Sequence, residues 1–296
     1  MKFLTINRNE EKILGIKTKT GIIDIDKALS VYPKSEIPRT IMELIVGGQD
    51  SLNNIKKYLN EISIEPTFLV GEKEMDWGPA ITSPNKIICV GLNYRKHADE
   101  TNSIYPETPI LFPKYNNTLI GHQKKITIPK VTKKLDYEAE LGIVMGKTCK
   151  YVSEKDALDY VFGYVITNDL SARDLQFKSS QWLLGKSCDH FCPIGPYVVT
   201  SDKVINPNNL NVKTIVNGQV KQNSNTSDMI FSCEEIISYI SHHMTLTPGD
   251  IILTGTPEGV AMGASNEQLY IKEGDIVSVE IESLGKLTNE FVKENE

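Results

Sequence analysis

Short apolar runs broken by turn residues recur along most of this chain. The most informative run is residues 135–145, where Leu141, Ile143 and Met145 alternate with Gly142 and Val144. That alternation predicts a strand, in which side chains at i, i+2 and i+4 share a face. Asp136, Glu138 and Glu140 would then point the same way. Like charges on one face repel, and burial sharpens the repulsion. Two arrangements tolerate such a face: a solvated edge strand, or a cation held among the carboxylates. An all-oxygen donor set suits a hard ion such as Mg²⁺, Mn²⁺ or Ca²⁺.

The remaining pattern divides the chain. Residues 1–80 form a small N-terminal domain, with strands predicted at 12–17 and 21–25 around a Lys19-Thr20-Gly21 turn. Helical pieces at 41–46 and 51–58 are broken at Gly47-Gly48. A linker around Trp77-Gly78-Pro79 and Ser83-Pro84 leads to a second domain, residues 85–296. There, strands are expected at 86–91, 110–112, 162–167 and 251–253, with a last pair at 275–282 and 286–291. Residues 156–161 read as a short helix. Asn217-Gly218 between 212–216 and 219–222 predicts a hairpin with a type I′ turn. Ser232 followed by Glu235 is a capping box for a helix reaching about residue 244. Many strands, few helices and frequent turns predict a β-rich α+β fold.

Composition removes several classes of function. The chain has 296 residues, 40% hydrophobic and 24% charged, with a formal net charge of −6, so it carries no basic footprint for nucleic acid. No apolar run is long enough to span a bilayer, and the first eight residues do not read as a signal peptide. Five cysteines, an odd and scattered set, argue against a disulfide framework and place the expected compartment in the cytoplasm. Cys188 and Cys192 flank His190, but no second pair with zinc spacing follows. Gly185-Lys186-Ser187 lacks the upstream glycine of a phosphate loop, since position 180 is Ser and 181 is Gln.

Other polar residues are candidates for chemistry. Asp169, at the end of the 162–167 strand, is a third oxygen ligand if strand pairing brings it to the acidic run. His97 and Glu100 are three apart and share a face on a helical turn. A carboxylate beside an imidazole fixes its tautomer and suits a general base, while an exposed polar turn fits the same spacing. Arg173 and Gln176 repeat that spacing and can present both side chains to one small anion. Lys186 reads alone as a loop lysine. Thr256 sits in Thr254-Gly255-Thr256-Pro257-Glu258-Gly259-Val260, where small residues let a backbone approach a ligand or simply turn.

Together these stretches resemble the fumarylacetoacetate hydrolase family. The matching segments are Gly91-Leu92-Asn93-Tyr94 through His97 and Glu100, Asp136-Tyr137-Glu138-Ala139-Glu140-Leu141, Asn168-Asp169-Leu170-Ser171-Ala172-Arg173-Asp174, and 254–260. The run Gln181-Trp182-Leu183-Leu184-Gly185-Lys186, with Asp189 and Phe191-Cys192-Pro193, is most similar to the domain-containing-protein-2 branch and its bacterial relatives. The resemblance implies a mixed β-roll, a homodimer and one divalent cation per site, Mg²⁺ first with Mn²⁺ or Ca²⁺ as alternatives. By position it assigns Glu138, Glu140 and Asp169 as metal ligands and leaves Asp136 outside that set. It makes His97 and Glu100 a catalytic pair on a mobile lid, and sets Arg173, Gln176, Lys186 and Thr256 around the substrate.

The activity implied is C–C cleavage in short 2-oxo acids, by acylpyruvate-type hydrolysis or oxaloacetate decarboxylation, with Lys186 stabilising developing charge. Oxaloacetate keto–enol tautomerisation, or isomerisation of a 2-hydroxyhepta-2,4-diene-1,7-dioate-type acid, is the alternative within the family. A non-catalytic metal-dependent binding module is the alternative outside it.

Overall fold

The computed structural model describes residues 1–264 and 266–294. Its main sheet is mixed. From one edge it runs through Leu69–Val70, Ile22–Asp24, Glu11–Lys17, Lys2–Arg8, Cys192–Thr200, Val161–Asn168, Ala139–Met145, Ile251–Leu253 and Ile87–Gly91 to Ile110–Lys114. A second sheet orders Gln219–Asn225, Asn211–Val216, Ile276–Ile281, Gly285–Lys293 and Lys125–Ile128. The architecture is a sheet-rich α+β fold. Alternate residues of the main sheet feed two apolar cores: Leu141, Ile143 and Ile166 pack in one, Val144, Val165 and Leu253 in the other.

The part of the acidic run that carries Glu140 occupies the middle of the main sheet, so the solvated-edge alternative does not apply. Ala139–Met145 is buried along its whole length. It pairs antiparallel with Val161–Asn168 on one side and with Ile251–Leu253 on the other. The run is not one continuous strand. Leu135–Asp136 pairs with Ser171–Ala172, and Tyr137 and Glu138 form the break before the central strand begins. That break sends Asp136 and Glu140 to different partners, as described below.

Local signals account for much of the rest. Ser232 and Glu235 make the reciprocal capping box of the helix Cys233–His243. Asn217 (φ 49°) and Gly218 (φ 80°) both take the left-handed conformation that a type I′ turn needs. The helices Ile41–Val46 and Gly48–Glu61 meet at Gly47. Residues 154–160 form a 3₁₀ helix rather than an α-helix. The strand Lys2–Arg8 was not anticipated; it pairs with Glu11–Lys17 and with Cys192–Thr200, so the N-terminal strands extend the main sheet. Trp77, Ala80 and Ile81 in the expected linker are buried.

Candidate active site

A cavity of about 670 Å³ opens over the ends of these central elements. His97 and Glu100 from the helix Arg95–Glu100, Glu138 and Glu140 from the acidic run, Arg173 and Gln176 from one short helix, Lys186 from another, and Thr256 all line it. Every one of these sequence candidates therefore reaches a single site. Asp169, the ninth, is fully buried and adjoins it through its ion pairs.

The register explains how the carboxylates converge. Ala139 pairs with Asn168, which brings the end of one strand beside the start of its neighbour. The Asn168 side chain accepts from the Glu138 backbone N–H at 2.9 Å, and the Asp169 N–H donates to the Glu138 carbonyl at 2.9 Å. Oxygen atoms of Glu138, Glu140 and Asp169 lie within 4.8 Å of one another.

Three buried carboxylates this close require compensation, and the site supplies it unevenly. Lys186 Nζ lies 2.7 Å from Glu138 Oε2 and 2.8 Å from Asp169 Oδ2. Lys114 Nζ pairs with Asp169 Oδ1. Arg173 Nη1 lies 2.7 Å from Glu138 Oε1. Burial pushes the Glu138 carboxyl up, but Lys186 and Arg173 together outweigh it and hold its pKa at about 2. Burial lowers Lys186, and Asp169 and Glu138 more than reverse this, so its pKa is raised. Glu140 differs. It accepts the Gly255 backbone N–H at 2.9 Å and makes no ion pair among the described residues. Burial, then Asp169 and Glu138, push its carboxyl well above the ordinary range.

This donor set fits one hard divalent cation. The three oxygens are close enough to share an ion, all are carboxylate, and Glu140 lacks the positive partner that its neighbours have. Asp136 takes no part in that cluster. It receives Arg173 Nε at 2.9 Å and the backbone N–H groups of Tyr137, Ala261 and Met262 at 2.9, 2.8 and 3.0 Å.

The His97–Glu100 pair forms as the spacing predicts. His97 Nδ1 lies 2.8 Å from Glu100 Oε1. A carboxylate only accepts, so Nδ1 carries a proton, and Nε2 is the ring nitrogen left to exchange one. Glu100 Oε2 accepts the Gly259 N–H at 2.9 Å, which ties the helix to the 254–260 turn. Arg173 lines the cavity with its Nη2 lacking a hydrogen-bond partner among the described residues. Gln176 Oε1 accepts from Arg173 Nη1 at 3.0 Å, leaving the Gln176 amide NH₂ available.

Two contributors were not anticipated. Lys114 looks like any lysine ending a proline-containing edge strand, yet its side chain is buried against Asp169. Gln222 is buried in the hairpin strand Gln219–Asn225; it accepts the Ala139 N–H at 3.0 Å and donates to Thr256 Oγ1 at 2.9 Å. No local pattern marks either residue, because both roles depend on elements distant in sequence.

Residues 86–292 match the Fumarylacetoacetate (FAA) hydrolase C-terminal family. The chain belongs to this family. Fumarylacetoacetate hydrolase domain-containing protein 2 homolog from Dictyostelium discoideum is 48% identical over 290 residues, covering 95% of this chain and 92% of that protein. Oxaloacetate tautomerase Fahd2a, mitochondrial, from Rattus norvegicus is 39% identical over 284 residues, covering 96% and 88%. Among solved structures, maleylpyruvate hydrolase from Sphingobium sp. SYK-6 in complex with manganese (II) ion and pyruvate is 28% identical with a TM-score of 0.79, covering 100% of both chains. Family members thus carry tautomerase and hydrolase names. Among the described residues, no helix is long and apolar enough to cross a membrane.

Proposed function

We propose that this chain is a divalent-cation-dependent enzyme of short 2-oxo acids whose first reaction is proton transfer at C3, interconverting the keto and enol forms of oxaloacetate. The observation that carries the reading is the His97–Glu100 pair lining the same cavity as Glu138 and Glu140. The motifs alone put C–C cleavage first. The rat relative's name, at 39% identity over 96% of this chain, moves proton transfer ahead of it.

In this reading Glu138, Glu140 and Asp169 hold the cation, with Mg²⁺ or Mn²⁺ as the ion. A cation bound there supplies a Lewis acid for the 2-oxo group. Arg173 Nη2 and the Gln176 amide are the donors for a substrate carboxylate, and Thr256 flanks them. His97 Nε2 takes the proton from C3. The C3–H electron pair becomes the C2–C3 double bond, and the 2-oxo oxygen accepts a proton. Glu100 holds Nδ1–H and stabilises the imidazolium while His97 is charged. The Lys186 ammonium, beside Glu138 and Asp169, stabilises negative charge growing on the 2-oxo oxygen.

C–C cleavage is the second reading, favoured by a cavity of about 670 Å³, roomy for a four-carbon acid. There His97 takes its proton from water, which adds to the C4 carbonyl of a 2,4-dioxo acid, and the C3–C4 bond breaks. Loss of CO₂ from oxaloacetate needs no water. The reading also includes a homodimer and residues 1–80 as a scaffold unit joined to the catalytic domain. Five free thiols suit a reducing compartment, either cytoplasm or, as in the rat relative's name, a mitochondrion.

The test follows oxaloacetate by enol absorbance and by pyruvate release, with Mg²⁺, Mn²⁺ or a chelator, after subtracting the rate with ion alone. Chelator-sensitive enol–keto exchange faster than pyruvate release supports proton transfer. Pyruvate release at a matching rate moves the assignment to cleavage. Absence of both, with stable capture of a partner protein, overturns the enzyme reading in favour of a binding module.

A further inference from the structure

The cavity has a second character that proton transfer on a four-carbon acid leaves unused. Its volume, about 670 Å³, falls within the roughly 300–1,000 Å³ typical of pockets for drug-sized ligands. Beside the polar Thr101, Asn102 and Ser103, its lining includes six large apolar side chains: Val90, Leu92, Phe112, Phe177, Trp182 and Met262. The lysine and arginine side chains lining it are Lys186 and Arg173, and both are already engaged with Glu138. Arg173 Nη2 is therefore the free charged donor for a substrate carboxylate among the described lining residues.

The apolar lining is a built surface. Phe112 and Trp182 stack edge to face with ring centroids 5.3 Å apart. Lys186 Nζ sits 5.0 Å from the Phe112 ring centre, so this wall begins beside the acidic cluster. Gly91 closes the strand Ile87–Gly91, and a Cβ at that position would lie 2.5 Å from the Trp182 ring. Only glycine lets the indole lie against that strand end. Phe177 adds a ring that is 57% exposed at the cavity.

We propose that the Phe112–Trp182–Phe177 wall receives a flat apolar substituent on C3 of the 2-oxo acid, and that the enzyme tautomerises arylpyruvates as well as short dicarboxylic acids. The inference rests on the proton-transfer reading above. The chemistry is unchanged and balanced: the C3–H bond breaks, its electron pair forms the C2–C3 double bond, and the 2-oxo oxygen gains a proton. An aryl group on C3 lowers the cost of that step by conjugation with the new double bond. Its carboxylate and oxo group bind as those of oxaloacetate do, and its ring replaces water on the wall.

The experiment compares phenylpyruvate with oxaloacetate, each followed by enol absorbance with Mn²⁺, on the wild type, Trp182→Ala and Gly91→Ala. The wild type is expected to tautomerise both acids. In each variant the ratio of kcat/KM for phenylpyruvate to that for oxaloacetate is expected to fall about tenfold, mostly through KM. Turnover of oxaloacetate without phenylpyruvate overturns the inference and leaves the proton-transfer reading standing. So does an unchanged ratio in two folded variants. If the wild type turns over neither acid, that reading fails, and phenylpyruvate binding to the Mn²⁺-loaded protein decides the wall separately. Binding weakened by Trp182→Ala supports it, and no binding overturns it.

Discussion

Asp136 and Glu140 sit in one short run, both buried, and the fold treats them oppositely. Asp136, on the strand Leu135–Asp136, has an arginine and three backbone N–H donors. Glu140, on Ala139–Met145, has one N–H donor and two carboxylates for neighbours. The contrast separates two uses of a buried charge. Complete partners make a carboxylate a structural tie, here between the 171–176 segment and the loop at Ala261. Incomplete partners leave a charge that a cation can satisfy. Burial alone does not distinguish them; the count and sign of the partners does.

The largest expected effect is on Asp136. Asp136→Ala takes one of two carboxylate partners from the buried Arg173 guanidinium, leaving Glu138, and removes the acceptor of three N–H groups, so it should cost about 3–5 kcal/mol of stability in denaturant unfolding. A loss below about 1 kcal/mol would mean that Asp136 is not the structural member of the pair.

Lys114→Met is the intermediate case. It leaves Asp169 with Lys186 as its remaining ion-pair partner, moving a satisfied carboxylate toward the condition of Glu140. The cation-free protein should lose about 1–3 kcal/mol, and Mn²⁺ should raise the melting temperature by more than in the wild type. Equal Mn²⁺ shifts would argue against the partner-count explanation.

Much of this contrast was legible in the sequence, although the separating break was not. Alternation over Leu141, Ile143 and Met145 located the central strand, and Asn168-Asp169 ended a second apolar run that pairs with it. His97 and Glu100 needed only their spacing. The run 135–145, however, read as one strand with three carboxylates on a face. The break at Tyr137 and Glu138 follows from the pairing of Leu135–Asp136 with Ser171–Ala172, a contact distant in sequence. Lys114 was invisible for the same reason, as was the seating of Trp182 on Gly91. The strand Lys2–Arg8 shows no clean alternation because both its faces are covered between residues 3 and 6.

The smallest effect lies outside the cavity, at a half-buried base. Burial holds His122 down at about 4 against the opposing pull of Glu72, and its Nδ1 accepts the Thr288 N–H at 3.0 Å. The unfolded chain binds this proton below about 6.5, the folded protein only near 4. The unfolded state therefore holds more protons in that window, and stability present above pH 6.5 is lost as pH falls through it, on the order of 2 kcal/mol by pH 5. His122→Gln should flatten the stability profile between pH 7 and 5; an unaltered slope would remove His122 as its source.

The central claim is that Glu140, unlike Asp136, is a ligand awaiting a cation. Mn²⁺ titration followed by electron paramagnetic resonance, on the wild type and on Glu140→Gln, tests it most directly. The account predicts one tight Mn²⁺ per wild-type chain, and a variant at least as stable without metal that no longer holds the ion. A folded Glu140→Gln protein that binds Mn²⁺ as the wild type does would contradict it.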